Sequence, residues 1–520
     1  MAERTKKDLS FITNLVKEHG GIERLGKLFH TLKQAYFYDS GTGKVVCLDK
    51  REELFFSWLF ERQETDGYEQ WHNYNNGRID GSALSGVKDV ILQENLLQSP
   101  YDTNMTSIKH QSEIKQMLEE KVRLITLELT GRCNLRCGYC IYNEDFQENR
   151  NFSESDMSEE TARKAIRYLA EHSGNDVSVT FYGGEPLLKF DMMKSCVEYS
   201  KELMKGKNLT FSMTSNMTLM TREKAEFFFK TKGFSLVASL DGPREVHNSY
   251  RKYQGGKGSF DDTLRGVKIL ADVFGDEFAS RVSLSMVFAP PYTFEKIDRI
   301  HNFFEGLDWL PKETDKLISY PEHGSVKYVF EEAEGTSVDV KQGKGYVNTL
   351  FKWNELYSEK KPDNSSGILT KKHHDELLLK VHNRPLFNKP SALDGLNGCC
   401  VPGTRRLYVT AEGDFKVCER VGVSPPIGNV GQGLIYDDIK RYYVDEYIKE
   451  SEKTCSECWA NRLCGVCYAK TYSSKGIDKE KKAFQCDMAR HNALEALVAY
   501  HTCLEDDADS MAYLNDMAYG

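Results

Sequence analysis

Three cysteines crowded into one short loop constrain this chain more than any other feature. The segment GRCNLRCGYCIY carries Cys133, Cys137 and Cys140 and follows directly on RLITLELT, a β-branched and apolar run that reads as a strand. The loop after a strand is where α/β barrels keep their chemistry. The spacing Cys-x3-Cys-x2-Cys supplies three thiolates to a [4Fe-4S] cluster and leaves the fourth iron without a protein ligand. A zinc knuckle is the competing structural reading. The strand before the loop and the motifs after it favour the cluster.

With 520 residues the chain is too long for one ordinary core. From 123 onward RLITLELT, DVSVTFYG, LTFSMTSN, FSLVASLD and RVSLSMVF alternate with helical segments. That pattern predicts an α/β fold, a partial (β/α)6 TIM-type barrel over 123–310, its strands continuous apolar runs buried as in parallel sheets. Ser158 is placed to cap a helix whose first turn holds Glu159 and Glu160. Residues 1–100 combine a helical pattern through FITNLVKEHGGIERLGKLFHTL, two strand-like runs in YFYDSGTGKVVCLD and a helix in EELFFSWLFERQ, which predicts a small winged-helix-like module. A linker helix over 101–122 and an irregular bridging region over 311–398 flank the barrel. The region 399–503 is cysteine-rich, with LYVTA and DFKVCE flanking a Glu412-Gly413 turn. An acidic tail, 504–520, closes the sequence.

The 69 basic and 78 acidic residues are interleaved and the net charge is -9, which argues against a nucleic-acid partner. MAERTKKDLS has no apolar stretch behind its charges, and no run approaches the roughly eighteen apolar residues of a membrane span, so a soluble, cytoplasmic protein is expected. In that compartment fourteen cysteines are ligands before they are disulfides. Cys47, Cys196 and Cys503, scattered away from the clusters of thiols, read as small buried hydrophobes. GGKGS, Gly255 to Ser259, fails the spacing of a phosphate loop and follows no strand.

CNLRCGYC resembles the signature of radical S-adenosylmethionine (SAM) enzymes. The resemblance implies that the amino and carboxylate groups of SAM chelate the open iron, and that an electron then splits the sulfonium to a 5′-deoxyadenosyl radical. It places Tyr139 against the adenine. YGGEP resembles the site for the SAM amino group, with Gly183 and Gly184 allowing backbone approach to a ligand and Glu185 accepting from the ammonium. Ser212 and Asn216 in SMTSN are candidates for the carboxylate or ribose, and Ser239, Asp241 and Arg251 in SLDGPREVHNSYR for the same mouth. Turn-capping is the alternative for each of these single polar residues.

Further on, Cys400, Gly413, Cys418, then Cys455, Cys458, Cys464 and Cys467 as C-x2-C-x5-C-x2-C, and finally Cys486 resemble the SPASM domain of peptide-modifying radical SAM enzymes. The resemblance implies two auxiliary [4Fe-4S] clusters, three clusters in all. Cys455, Cys458, Cys464 and Cys486 would ligate one completely, and Cys400, Cys418 and Cys467 the other. Sulfatase-maturating members have a further cysteine soon after the first, whereas VPGTRRLYV follows Cys400 here. The inner auxiliary cluster is therefore expected to keep an open iron unless Cys399 fills it. A zinc treble clef is the alternative for 455–467.

YFYDSGTGKVVCLD also resembles the ribbon of a precursor-peptide recognition element, on which a leader peptide adds as a strand; a plain structural cap is the alternative. IYNEDFQENRNFSESDM looks most like thioether-forming sactipeptide synthases. The resulting expectation is a radical SAM peptide maturase that joins a cysteine sulfur to an α-carbon in a ribosomal precursor peptide, supplied with electrons by a flavodoxin or ferredoxin. Anaerobic sulfatase maturation to formylglycine, C-C crosslinking and epimerisation are alternative chemistries, and a non-catalytic iron-sulfur scaffold the alternative class.

Overall fold

The structure, a computed structural model, describes residues 2–61, 71, 74, 81–100, 114–120, 122–143, 151–322, 325–326, 353, 369, 371–391 and 399–517. Parts of the expected linker, of the segment after Cys140 and of the bridging region lie outside the described residues. No helix among those described is long and apolar enough to cross a membrane.

In the N-terminal module the helix Ala2–Glu18 ends at Gly20 and Gly21, whose φ values of 86° and 95° suit glycine. Beyond them the expected helical pattern lasts one more turn, Ile22–Leu25. Gly26–His30 is instead a strand, β1, antiparallel to β2 (Ala35–Asp39) from Gly26↔Asp39 to His30↔Ala35. The glycine pair breaks the helix, and Leu28 and Phe29 suit a strand as well as a turn of helix. The predicted ribbon is present: β3 (Val45–Leu48) pairs with β2 across the Ser-Gly-Thr-Gly turn. β2 is buried along its whole length. Phe37 stacks on Phe56 of the helix Lys50–Glu61 at 4.5 Å, while Tyr36 meets His501 of the helix Lys479–Asp507 at 4.9 Å. Much of the acidic tail is consequently folded: Glu505 accepts hydrogen bonds from Tyr36 and Thr31 hydroxyls, each at 2.7 Å.

Among the described residues six parallel strands form the barrel: β4 (Leu124–Thr130), β5 (Asp176–Gly183), β6 (Asn208–Ser215), β7 (Phe234–Ser239), β8 (Val282–Val287) and β9 (Lys316–Ser319). β9 lies beyond the expected barrel boundary; its four residues, KLIS, are too few for a periodic signal. The strands also depart from the expected continuous burial. Val177, Val179 and Phe181 are buried while Ser178, Thr180 and Tyr182 between them are half-buried, and β6 and β8 alternate likewise. The apolar set packs on the outer helices. The Ser, Thr and Tyr set lies on the other face of the sheet, which is half-buried and polar. Outside, Ser158 caps the helix Glu159–Glu171 as expected, accepting from Thr161 N at 3.0 Å.

The cysteine-rich region continues the barrel sheet. β10 (Leu407–Val409) runs parallel to β4, with Leu407↔Ile125 and Val409↔Leu127, and turns through Gly413 (φ 96°) into β11 (Asp414–Lys416). Two short strands, β12 (Gly428–Asn429) and β13 (Gly433–Leu434), complete a ten-stranded sheet in the order β13-β12-β11-β10-β4-β5-β6-β7-β8-β9. Arg281 secures the outer layer by donating to the carbonyls of Phe228, Phe229, Thr231 and Phe234 at 2.7–3.0 Å. Arg281→Met leaves those carbonyls without their cation, and the urea midpoint of barrel unfolding should fall by the equivalent of about 2 kcal/mol or more.

Candidate active site

The cysteine loop is held in place by backbone pairing at both of its sides. Gly131 N donates to Ser155 O at 2.8 Å, and Thr130 Oγ1 and Arg132 hold the Asp156 carboxylate. On the other side Arg136 N donates to Lys252 O at 2.7 Å and Gly138 N to Tyr250 O at 3.0 Å. The three thiols face a cavity of about 140 Å³ whose walls also include Gly183, Gly184, Glu185 and Asn216.

Gly184 N and Glu185 N, at the end of β5, donate to Thr130 O and Arg132 O, both at 2.9 Å. A Cβ on Gly183 would lie 2.3 Å from Thr130 O, and one on Gly184 2.1 Å from Arg132 O. The two glycines thus admit the neighbouring backbone of the cysteine loop, where the sequence suggested room for a ligand. Glu185 is 1% exposed. Its carboxylate accepts from Ser215 Oγ at 2.8 Å, Asn216 N at 2.9 Å and Leu187 N at 3.0 Å. Burial raises its pKa, and these three donors oppose the rise.

Of the other residues singled out in the sequence, Asn216, Ser239 and Arg251 line the cavity. Asn216 is already engaged: its side chain donates to Asn134 Oδ1 at 2.9 Å and accepts from Thr218. Ser212 is not in the wall; its hydroxyl pairs with Thr180 at 2.7 Å between strands. Tyr139 and Asp241 stand behind the wall. The Tyr139 hydroxyl donates to Asp241, Arg251 Nε donates to the same carboxylate at 2.9 Å, and Val287 N donates to its other oxygen at 3.1 Å. The Tyr139 ring lies 5.4 Å from both the Tyr250 ring and the Arg251 guanidinium. Together they lock the loop to the ends of β7 and β8. Thr214, Ser215, Tyr182 and Phe152 line the cavity without having been singled out. Thr214 and Ser215 sit inside the quoted SMTSN, where strand alternation could have identified the inward residue.

Residues 127–304 match the family model of the radical SAM superfamily. A cysteine-type anaerobic sulfatase-maturating enzyme of Clostridium novyi is 30% identical over 353 residues, covering 64% of this chain and 84% of that protein. The chain belongs to the radical SAM superfamily. Two shorter alignments are more local: MJ0907 of Methanocaldococcus jannaschii is 36% identical over 28% of this chain, and the serine-type sulfatase-maturating enzyme of Bacteroides thetaiotaomicron 28% identical over 42%. This radical SAM chain spans about half the length of these two relatives, 48% and 54%. The solved structure of anSMEcpe with bound AdoMet superposes with a TM-score of 0.52 at 18% identity, covering 76% of this chain and 96% of that one, a likeness of fold.

Three cysteines on one cavity are the donor set an iron-sulfur cluster would take. Burial pushes Cys133 and Cys137 up to about 12, as it does Cys196 away from the cavity, so the shift reports burial and not a ligand role. Cys133 Sγ accepts the Leu135 N–H at 3.4 Å, Cys464 Sγ the Val466 N–H at 3.5 Å and Cys467 Sγ the Ala469 N–H at 3.4 Å. Such N–H donors favour thiolate sulfur. Cys399 Sγ turns to Val466 O at 3.5 Å.

The contact beneath Gly184 is open to direct test. Gly184→Ala must displace the cysteine loop, and iron taken up on anaerobic reconstitution should fall while the helical circular dichroism stays close to wild type. The strain corresponds to a loss of about 2 kcal/mol or more in stability.

Proposed function

We propose that this enzyme matures a ribosomally made precursor peptide by joining a cysteine sulfur to the α-carbon of another residue. The observation that carries the peptide reading is an edge strand on the N-terminal module: among the described residues β3 pairs on one side only, with β2. An edge strand offers main-chain N–H and C=O groups to an extended leader, which would add to it as a further strand.

At the barrel mouth Cys133, Cys137 and Cys140 would hold the cluster, and Glu185, with Ser239, Asn216 and Arg251 in the same wall, would receive SAM. When bound, that pair supplies one-electron cleavage of the sulfonium and removal of a hydrogen atom from the peptide. Glu185 is preorganised for an ammonium group, because Ser215, Asn216 and Leu187 already hold its carboxylate. Tyr139 and Asp241 keep the loop registered against Arg251 and need not touch the ligand. An external low-potential donor, a flavodoxin or ferredoxin, would supply electrons.

The thioether reading is supported by the absence of a cysteine in VPGTRRLYV after Cys400: Cys400, Cys418 and Cys467 would hold an inner auxiliary cluster with room for a substrate thiolate, unless Cys399, which lies beside Cys467 and Cys400, completes it. Cys455, Cys458, Cys464 and Cys486 would complete an outer one. A second reading, oxidation of a single cysteine or serine, is favoured by the likeness to the Clostridium novyi sulfatase-maturating enzyme.

Anaerobic reconstitution should load about twelve irons, three cubanes' worth. The triple variant Cys133→Ala, Cys137→Ala, Cys140→Ala should lose about a third of them and release no 5′-deoxyadenosine from SAM under dithionite; SAM cleavage in that variant sinks the assignment. A cysteine-containing sulfatase peptide should emerge unmodified by mass spectrometry. Its conversion to formylglycine selects the second reading.

A further inference from the structure

The N-terminal module is fastened to the loop that carries three of the outer four cysteines, Cys455, Cys458 and Cys464, at residues lying between them. Ser456, between Cys455 and Cys458, accepts from Arg24 Nε through its carbonyl at 2.7 Å. Arg24 is 2% exposed, and its remaining nitrogens donate to His19 O at 2.8 Å, Ser99 O at 2.9 Å and Pro100 O. One guanidinium therefore joins the end of the first helix, the chain leaving the module and the cysteine loop. The reverse contact is made by Arg462, between Cys458 and Cys464. Its Nε donates to Ser40 O at 2.7 Å and its Nη2 to Gly41 O at 3.3 Å, in the turn that leads into β3. Between the two arginines, the Trp459 ring meets Tyr38 edge-on at 6.1 Å.

These bonds have value only while the loop keeps its shape. A charged guanidinium on a carbonyl contributes about 1.5–3 kcal/mol when both groups are in place. Yet the loop itself has little regular structure: the helical turn Glu452–Ser456 and the 3-10 turn Asn461–Leu463. Loops of this kind take their fold from the metal centre they ligate.

We propose that the outer four-cysteine site, Cys455, Cys458, Cys464 and Cys486, is the seat of the N-terminal module: filling the site holds the module against the enzyme, and emptying it lets the module go. The proposal rests on reading these cysteines as ligands of one cluster; it does not depend on which peptide is modified. A chain lacking its outer cluster would present no fixed β3 edge, so the site would license peptide capture as well as any electron transfer. By linkage, a peptide that binds only the seated module favours the filled site to the same extent.

Hydrogen exchange of the full chain, reconstituted anaerobically and assayed for iron, tests this. Cys486→Ala removes the ligand that lies on the helix Lys479–Asp507 and leaves the loop sequence intact. Peptides covering residues 26–48 should then exchange about tenfold faster, while those from β4, β5 and β6 keep their protection. Arg462→Gln and Arg24→Gln should release the same segment with iron content unchanged. Emptying the barrel site with the triple variant at Cys133, Cys137 and Cys140 should leave residues 26–48 protected. Loss of the outer iron in Cys486→Ala without faster exchange at 26–48 overturns the proposal. If that variant also loosens the barrel, Arg462→Gln decides, and unchanged exchange at 26–48 there overturns it. Full iron retention in Cys486→Ala overturns the ligand reading itself, a different failure from the first.

Discussion

The backbone contact between the end of β5 and the start of the cysteine loop governs the candidate active site. Gly184 N and Glu185 N reach the carbonyls of Thr130 and Arg132, and side chains at 183 or 184 would prevent it. This contact sets where Cys133 begins and where Glu185 points. Burial of Glu185 would be costly alone, but Ser215, Asn216 N and Leu187 N satisfy its oxygens, so the carboxylate is ready for a cation. A second knot, Asp241 with Tyr139, Arg251 and Val287 N, holds the far side of the loop. Between them the two knots leave the thiols facing one cavity.

Much of this was legible in the sequence, and the gaps have physical causes. That the three thiols and Glu185 share one cavity was legible because each follows a strand of a parallel barrel, whose strand-end loops gather at one mouth. Ser158 and the Gly413 turn were legible because caps and tight turns depend on local chemistry. Tyr139, Asp241 and Ser212 were read as facing a ligand, whereas the structure pairs them with protein groups: a polar side chain announces that it needs a partner, not which one. β1 was hidden because Leu28 and Phe29 satisfy two periodicities, and β9 because four residues carry almost none. The Ser and Thr of β5 and β6 looked like part of an apolar run until the sheet gave them a face of their own.

The docking of the N-terminal module was illegible for a different reason. Arg24, Arg462 and Ser456 are ordinary residues in sequence, and all three matter through main-chain carbonyls, which every residue has. Contacts of this kind leave no compositional trace. They nonetheless unite the ribbon, the C-terminal helix and the cysteine loop, with Glu505 drawing residues of the acidic segment into the same interface.

The pairing of β10 with β4 carries a consequence for biogenesis. Leu407 and Ile125 are neighbours in the sheet, yet the entire barrel is synthesised between them. Until the ribosome has delivered β10, the strand that bears the cysteine loop is an open edge with unsatisfied main-chain groups, slow to find its partner and prone to false ones. The nascent half-barrel thus waits on its own C-terminal extension, and iron delivered early would meet a loop whose supporting strand has a partner on one side only.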